Sequence, residues 1–305
     1  MWGVDDALTV TGLAKSYGER RAADGVTFSA AAGRITAVLG PNGAGKTTTL
    51  ECCEGLREAD AGDVVVLGRR RRDREDDRWL RERVGVMVQQ GGLPMAPTAR
   101  QVLDHVATFY RVPADREHLV AALSLGDAMD TPIRRLSGGQ RQRVAVACAL
   151  VGTPELAFLD EPSSGVDPHA RRESWALLRE QRDRGCAIVL TTHHIAEAEE
   201  LADHVVVMDH GRVVASGSVA ELASGTQLTL AGTQDPARAA AVVSRWASPQ
   251  VDPAGGVTAI LESADVRLTR DLAAALAAAG EEAASFTLAP RTLESVFLTI
   301  TRDAE

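Results

Sequence analysis

The sequence predicts a mixed α/β fold with an antiparallel β edge, a helical insertion and a small C-terminal α+β domain. Three observations predict it. A buried strand, Ile35-Thr36-Ala37-Val38-Leu39, runs straight into a glycine-rich loop and then into a helix from Lys46. Short apolar runs alternate with amphipathic segments along most of the chain, as in a sheet flanked by helices. Near Ser224-Gly225 the composition turns alanine-rich and the alternation starts again.

Leu8-Thr9-Val10 and Val26-Thr27-Phe28 are short alternating runs, expected as early strands of the antiparallel edge. The strand over 34–39 precedes the loop, and the helix covers 46–53. Further strands are expected at 64–67 and 84–88. Between them, Arg69-Arg70-Arg71-Arg72-Asp73-Arg74-Glu75-Asp76-Asp77-Arg78 mixes acids with arginines and reads as a solvated loop rather than a nucleic-acid patch. Residues 98–122 turn helical, divided by Pro113, and a helix follows Ser137. Strands are expected at 156–160, 187–191, 205–208 and 213–215, and helices at 168–182 and 195–201. The tail reads strand 227–230, helix 236–246, strand 257–261, helix 264–279, strand 285–288, helix 292–301. The expected domains are 1–223, with a helical subdomain at about 94–152, and 224–305.

Composition narrows the function. At 305 residues the chain has room for about two domains. Its hydrophobic content of 45% and charged content of 25% suit a globular core. A net charge of −9 argues against affinity built on nucleic-acid phosphates. No run approaches the ~18 apolar residues of a membrane helix, and Met1-Trp2-Gly3-Val4-Asp5-Asp6 lacks a secretion signal's pattern. A cytosolic protein is expected. Cys52, Cys53, Cys148 and Cys186 have no metal-ligand spacing and read as buried free thiols.

Lysine is nearly absent: only Lys15 and Lys46 among 33 cationic residues. Lys15 has no motif around it and reads as a solvated surface cation. Lys46 lies in Gly40-Pro41-Asn42-Gly43-Ala44-Gly45-Lys46-Thr47, a G-x-x-x-x-G-K-[ST] loop. Its glycines let backbone N–H groups approach phosphates, and the following helix adds its positive end. A compact ammonium suits that cage better than a forked guanidinium. Thr47 offers a hydroxyl to Mg²⁺.

A second element is Leu156-Ala157-Phe158-Leu159-Asp160-Glu161-Pro162, a buried strand ending in two carboxylates. Asp160 can hold Mg²⁺ and Glu161 can polarise a water, the two needs of phosphoryl transfer. A third is Leu136-Ser137-Gly138-Gly139-Gln140, where Ser137 caps a helix whose exposed N–H groups suit an anion.

Together these resemble the ATP-binding cassette (ABC) ATPases, a P-loop NTPase family. The resemblance implies that 136–140 are the signature pentapeptide, contacting ATP on the opposite subunit of a head-to-tail homodimer. It implies ATP contacts from Tyr17, stacking on adenine, and from Gly40, Pro41, Asn42, Gly43, Ala44, Gly45, Lys46, Thr47 and Thr48. Gln89 resembles the Q-loop glutamine at Mg²⁺, although Gln90 adjoins it. Ser164-Gly165-Val166-Asp167 resembles the D-loop, with valine where leucine is common. In the Thr191-Thr192-His193 frame, His193 rather than His194 resembles the switch histidine. Catalysis would rest on Glu161, His193 and Lys46, and metal binding on Thr47, Gln89 and Asp160, with ATP and Mg²⁺ bound.

Leu293-Glu294-Ser295-Val296-Phe297-Leu298 and Gly91-Gly92-Leu93-Pro94 are similar to exporter ATPases of the daunorubicin-resistance type. This implies a separate membrane permease subunit as partner and a place on the inner membrane face through it, with no nucleic acid bound. The competing reading is a soluble ATPase of the same family acting on ribosomes or DNA. It usually brings two cassettes or a long coiled coil, and this chain has neither. A P-loop small-molecule kinase would have no use for 136–140 or for the His193 frame.

Overall fold

The computed structural model describes residues 6–71, 74–88, 92–110, 115–252, 255–262, 265–281 and 285–302. They fall into two compact units, divided between Val219 and Ala220.

In the first unit, β1 (Asp6–Tyr17), β2 (Arg20–Ala31), β4 (Ala61–Val66) and β5 (Arg69–Arg70) make an antiparallel sheet in the order β2-β1-β4-β5. The first two strands run 12 residues each, far past the short apolar runs that announce them. Register shifts at Val10/Leu13 and Lys15/Ser16 absorb the polar positions that break the alternation. The second sheet has the order β10-β9-β3-β8-β7-β6, with β3 (Ile35–Leu39), β6 (Val84–Met87), β7 (Leu156–Asp160), β8 (Ala187–Thr192), β9 (His204–Asp209) and β10 (Arg212–Gly217). Its neighbours pair in parallel except β9 with β10. Parallel strands covered on both faces read as continuous apolar runs, and β3, β7 and β8 are buried at every position. The two sheets share one core that includes Leu8, Phe28, Val38, Phe158, Val189 and Val206.

Helix α1 (Lys46–Glu54) follows β3. α2 (Arg74–Arg81) precedes β6, and α3 (Ala99–Ala107), α4 (Arg116–Ala122) and α5 (Gly138–Leu150) lie between β6 and β7. α6 (Pro168–Asp183) and α7 (Ile195–Leu201) complete the unit's α-helices among the described residues, and α8 (Val219–Leu222) begins at its last residue. The charged segment expected as a loop over 69–78 instead holds β5 and the start of α2. Its charges pair within the fold: Arg69 with Asp76 across the turn, and Arg71 Nε donating to Cys53 O at 2.8 Å. Lys15, expected as a solvated surface cation, pairs with a neighbour there: its Nζ lies 2.7 Å from Asp60 Oδ1. All four cysteines are free and buried. Pro113 lies outside the described residues.

The second unit contains β11 (Thr226–Ala231), α9 (Pro236–Val243), β12 (Pro249–Val251), β13 (Val257–Leu261), α10 (Val266–Ala278), β14 (Ser285–Pro290) and α11 (Leu293–Arg302). The sheet order β12-β13-β11-β14, antiparallel throughout, with the chain order β-α-β-β-α-β, is the ferredoxin-like split arrangement. Leu228, Leu230, Val257, Ala259 and Leu261 pack against Val243, Leu272 and Leu276 in one core. The three-residue strand β12 has no counterpart among the sequence expectations. Its Pro249-Gln250-Val251 carries no alternation of its own and pairs as an edge partner of β13.

Candidate active site

Leu39 ends β3 in the sheet interior, and the chain turns through 40–45 into α1. Gly45 is the N-cap residue, at φ 95°. A Cβ there would stand 2.0 Å from Ala22 O, so both the left-handed backbone and the close approach demand glycine. Lys46 is 5% exposed, and its Nζ donates to Gly40 O at 2.8 Å and Pro41 O at 3.0 Å. Burial pushes its pKa down, while the nearby Glu161 and Asp160 carboxylates pull the other way.

Those carboxylates arrive because β7 lies two strands from β3, with β8 between. Asp160 ends β7 opposite Thr191 of β8. The Thr191 hydroxyl donates to Asp160 Oδ1 and accepts the Glu161 N–H at 3.0 Å, so one side chain ties both acidic residues. Burial raises the Asp160 pKa, against hydrogen bonds from Thr191 and Thr47 and the charge of Lys46. The pairing of Thr47 with Asp160 fits a divalent cation: a buried carboxylate penalised by desolvation, beside a hydroxyl oxygen.

Glu161 has φ 51°, a left-handed conformation rare outside glycine. Such backbone persists where the surroundings over-determine it. Here its N–H meets Thr191 O at 3.2 Å as well as the hydroxyl, and Gln142 Nε2 donates to its carbonyl at 2.6 Å. His193 follows β8 directly, and its Nδ1 lies 3.0 Å from Glu161 Oε1.

Ser137 caps α5 in a reciprocal box: Gln140 N–H donates to Ser137 Oγ at 3.1 Å, and Ser137 N–H to Gln140 Oε1 at 2.9 Å. Leu136 is buried beneath it. A Cβ on Gly139 would stand 3.0 Å from Gly165 O, so the first turn of α5 packs on the 164–167 segment. Val166 is buried there, and Asp167 caps α6 through the His169 and Ala170 amides, which hold its carboxyl below the usual range. Tyr17 ends β1 half-exposed, its ring centroid 5.5 Å from the Arg57 guanidinium and 5.9 Å from Lys15 Nζ.

Contacts with one another or with Thr191 thus gather Thr47, Asp160, Glu161 and His193, and the charge of Lys46 acts on the carboxylates of Asp160 and Glu161. Tyr17 and Ser137 are held by other neighbours. Gln89 lies outside the described residues. Sequence reasoning missed the bridging role of Thr191, which served there only to frame His193, and it missed Gln142. The Thr191 contact depends on the register of β7 with β8. Gln142 sits one turn past Gly138 on α5, a spacing that names no partner. A groove bordered by Val86, Met87, Gln142, Ala145 and Cys148 runs up to Glu161.

A buried lysine loop facing two carboxylates on a parallel sheet defines a P-loop nucleotide-binding core. The ABC transporter family matches residues 23–164. The chain is 34% identical over 306 aligned residues to the daunorubicin/doxorubicin resistance ATP-binding protein DrrA of Streptomyces peucetius, spanning 97% of this chain and 92% of that protein. It is likewise 34% identical to the Nod factor export ATP-binding protein I of Rhizobium meliloti strain 1021, over 97% of this chain and 88% of that one. Among solved structures, cbiO1 of Clostridium perfringens, part of an ABC transporter complex, superposes with a TM-score of 0.62 at 30% identity, covering 72% of this chain and 90% of that one. The chain belongs to the ABC transporter family, as an ATP-binding subunit.

Proposed function

We propose that this chain binds and hydrolyses ATP as the motor subunit of an exporter, driving a permease subunit on a separate chain. The observation that carries this is the 3.0 Å contact of His193 with Glu161, beside a buried Lys46 and Asp160. Export follows the roles named for the relatives above.

Lys46 and the loop amides of 40–48 hold the β- and γ-phosphates, and Tyr17 offers its exposed ring to the base. Thr47 and Asp160, with Gln89, would hold Mg²⁺, which neutralises charge on the phosphate oxygens. Glu161 accepts a proton from the attacking water as its oxygen bonds to the γ-phosphorus and the bond to ADP breaks. With Nδ1 turned to the carboxylate, His193 presents Nε2 to the γ-phosphoryl, where a proton on that nitrogen would serve as the donor. Leu136, Ser137, Gly138, Gly139 and Gln140 present the capped end of α5 to ATP on a second copy of the chain, with Ser164, Gly165, Val166 and Asp167 at the same interface. This chemistry belongs to 1–223, and 224–305 is accessory. The groove leading to Glu161 suits the permease, and no helix among the described residues is long and apolar enough to cross a membrane. Placement on the inner membrane face would come through that partner.

Glu161→Gln tests the reading. It should lower kcat by at least ~10²-fold while keeping ATP binding, and size-exclusion chromatography with ATP should then show a dimer. Turnover within a few-fold of wild type would overturn the role of Glu161.

A further inference from the structure

Glu197 is a carboxylate that the chemistry above does not use, yet it is only 1% exposed. It stands in the first turn of α7, where the positive end of the helix favours it. It is the third helical residue after the N-cap His194, the place from which a glutamate ordinarily folds back onto the N-cap N–H. Here that N–H is taken by Thr192 Oγ1 at 2.9 Å. Glu197 Oε1 instead accepts from the Ser163 hydroxyl and from Trp175 Nε1, the latter at 3.1 Å. Trp175 Nε1 also lies 3.1 Å from Ser163 Oγ, which closes a three-membered polar cluster. Ser163 is itself buried, two residues beyond Glu161.

The same two segments are therefore joined twice. Glu161 meets His193, and Ser163 meets Glu197. A single contact leaves a loop free to pivot about it, whereas two contacts in series along both segments fix the angle between them. The angle matters because Glu161 occupies a left-handed backbone that its neighbours must enforce. Trp175, on α6, anchors the second contact to a rigid element.

We infer that Glu197, with Ser163 and Trp175, is a positioning residue that holds the Glu161 segment in register with His193 for hydrolysis. This rests on the reading that Glu161 and His193 act together. Misplacing a reacting group by about 1 Å can cost ~10²-fold in rate without changing what holds the substrate. The nucleotide loop around Lys46 has no part in the cluster, so the loss should fall on kcat.

The test is steady-state ATP hydrolysis by the full chain with Mg²⁺ for wild type, Ser163→Ala, Ser163→Thr, Glu197→Ala and Trp175→Phe. Ser163→Ala and Glu197→Ala should lower kcat by ~10-fold or more, with KM for ATP within about two-fold. Ser163→Thr, which keeps the hydroxyl, should restore most of kcat. Trp175→Phe, which loses one donor and keeps the packing, should fall between, and it decides the matter if Glu197→Ala does not fold. A kcat within two-fold of wild type in Ser163→Ala and Trp175→Phe would overturn the inference. So would a loss that appears in KM alone, or one that Ser163→Thr fails to rescue. If the wild type hydrolyses ATP and Glu161→Gln does not, such a result leaves the proposed function standing. A wild type without hydrolysis overturns both.

Discussion

His193 Nδ1 lies 3.0 Å from Glu161 Oε1, across 32 residues of sequence. The ring nitrogen that meets the carboxylate is Nδ1, so Nε2 lies on the far side of the imidazole. The contact orients both groups at once.

On the proposed role of His193 at developing charge rather than in binding, His193→Ala should reduce kcat by ~10²-fold while KM for ATP changes little. Steady-state kinetics separate the two parameters. A large rise in KM with unchanged kcat would place His193 in ground-state binding.

Lys46→Arg should fail although arginine serves at nearly every other cationic position. The Lys46 side chain is packed against Gly40 O and Pro41 O. A guanidinium is larger and planar, and overfilling a packed site costs about 1–3 kcal/mol before any loss of phosphate contact. Titration calorimetry should show ATP affinity reduced ~10-fold or more.

Gly45→Ala should abolish nucleotide binding. The methyl group would overlap Ala22 O, 2.0 Å away, at a φ of 95°. The loop must move or the helix start must unwind. A lower melting temperature together with lost ATP affinity is the expected result.

Glu54, at the end of α1, is 6% exposed, and its Oε1 has no hydrogen-bond partner. Burial, with the charges of Asp160 and Glu51 adding, pushes its pKa from 4.5 up to about 8, against Arg71. The folded state thus keeps a proton that the unfolded chain releases. This contribution to stability is fully present below pH 4.5 and is lost as pH rises toward about 8. Glu54→Gln should flatten that loss, raising stability at pH 9 by on the order of a few kcal/mol and leaving it little changed at pH 4. Thermal melts of both proteins across this range provide the check.

Much of the site was legible in the sequence because it is local. The loop over 40–47 is one strand, one turn and one helix start, and its spacing alone specifies the backbone. Ser137 caps the helix that immediately follows it, so that role also follows from adjacency. The carboxylates at 160 and 161 mark a strand end for the same reason.

The tertiary structure decided what crosses the sheet. Thr191 bridges Asp160 and Glu161 only because β7 and β8 pair in parallel at that register, and one residue of slip would turn its hydroxyl to the other face. The segment over 69–78 has the composition of a solvated loop, yet its described residues hold β5 and the start of α2, with Arg69 paired to Asp76 and Arg71 to Cys53 O. By itself the sequence determined the nucleotide loop, the strand-end acids and the alternation that makes an α/β core, all features of neighbouring residues. Only the folded chain decided which polar side chains meet at a distance of 30 residues or more, as Glu161 meets His193 and Ser163 meets Glu197, because strand order and register set those meetings.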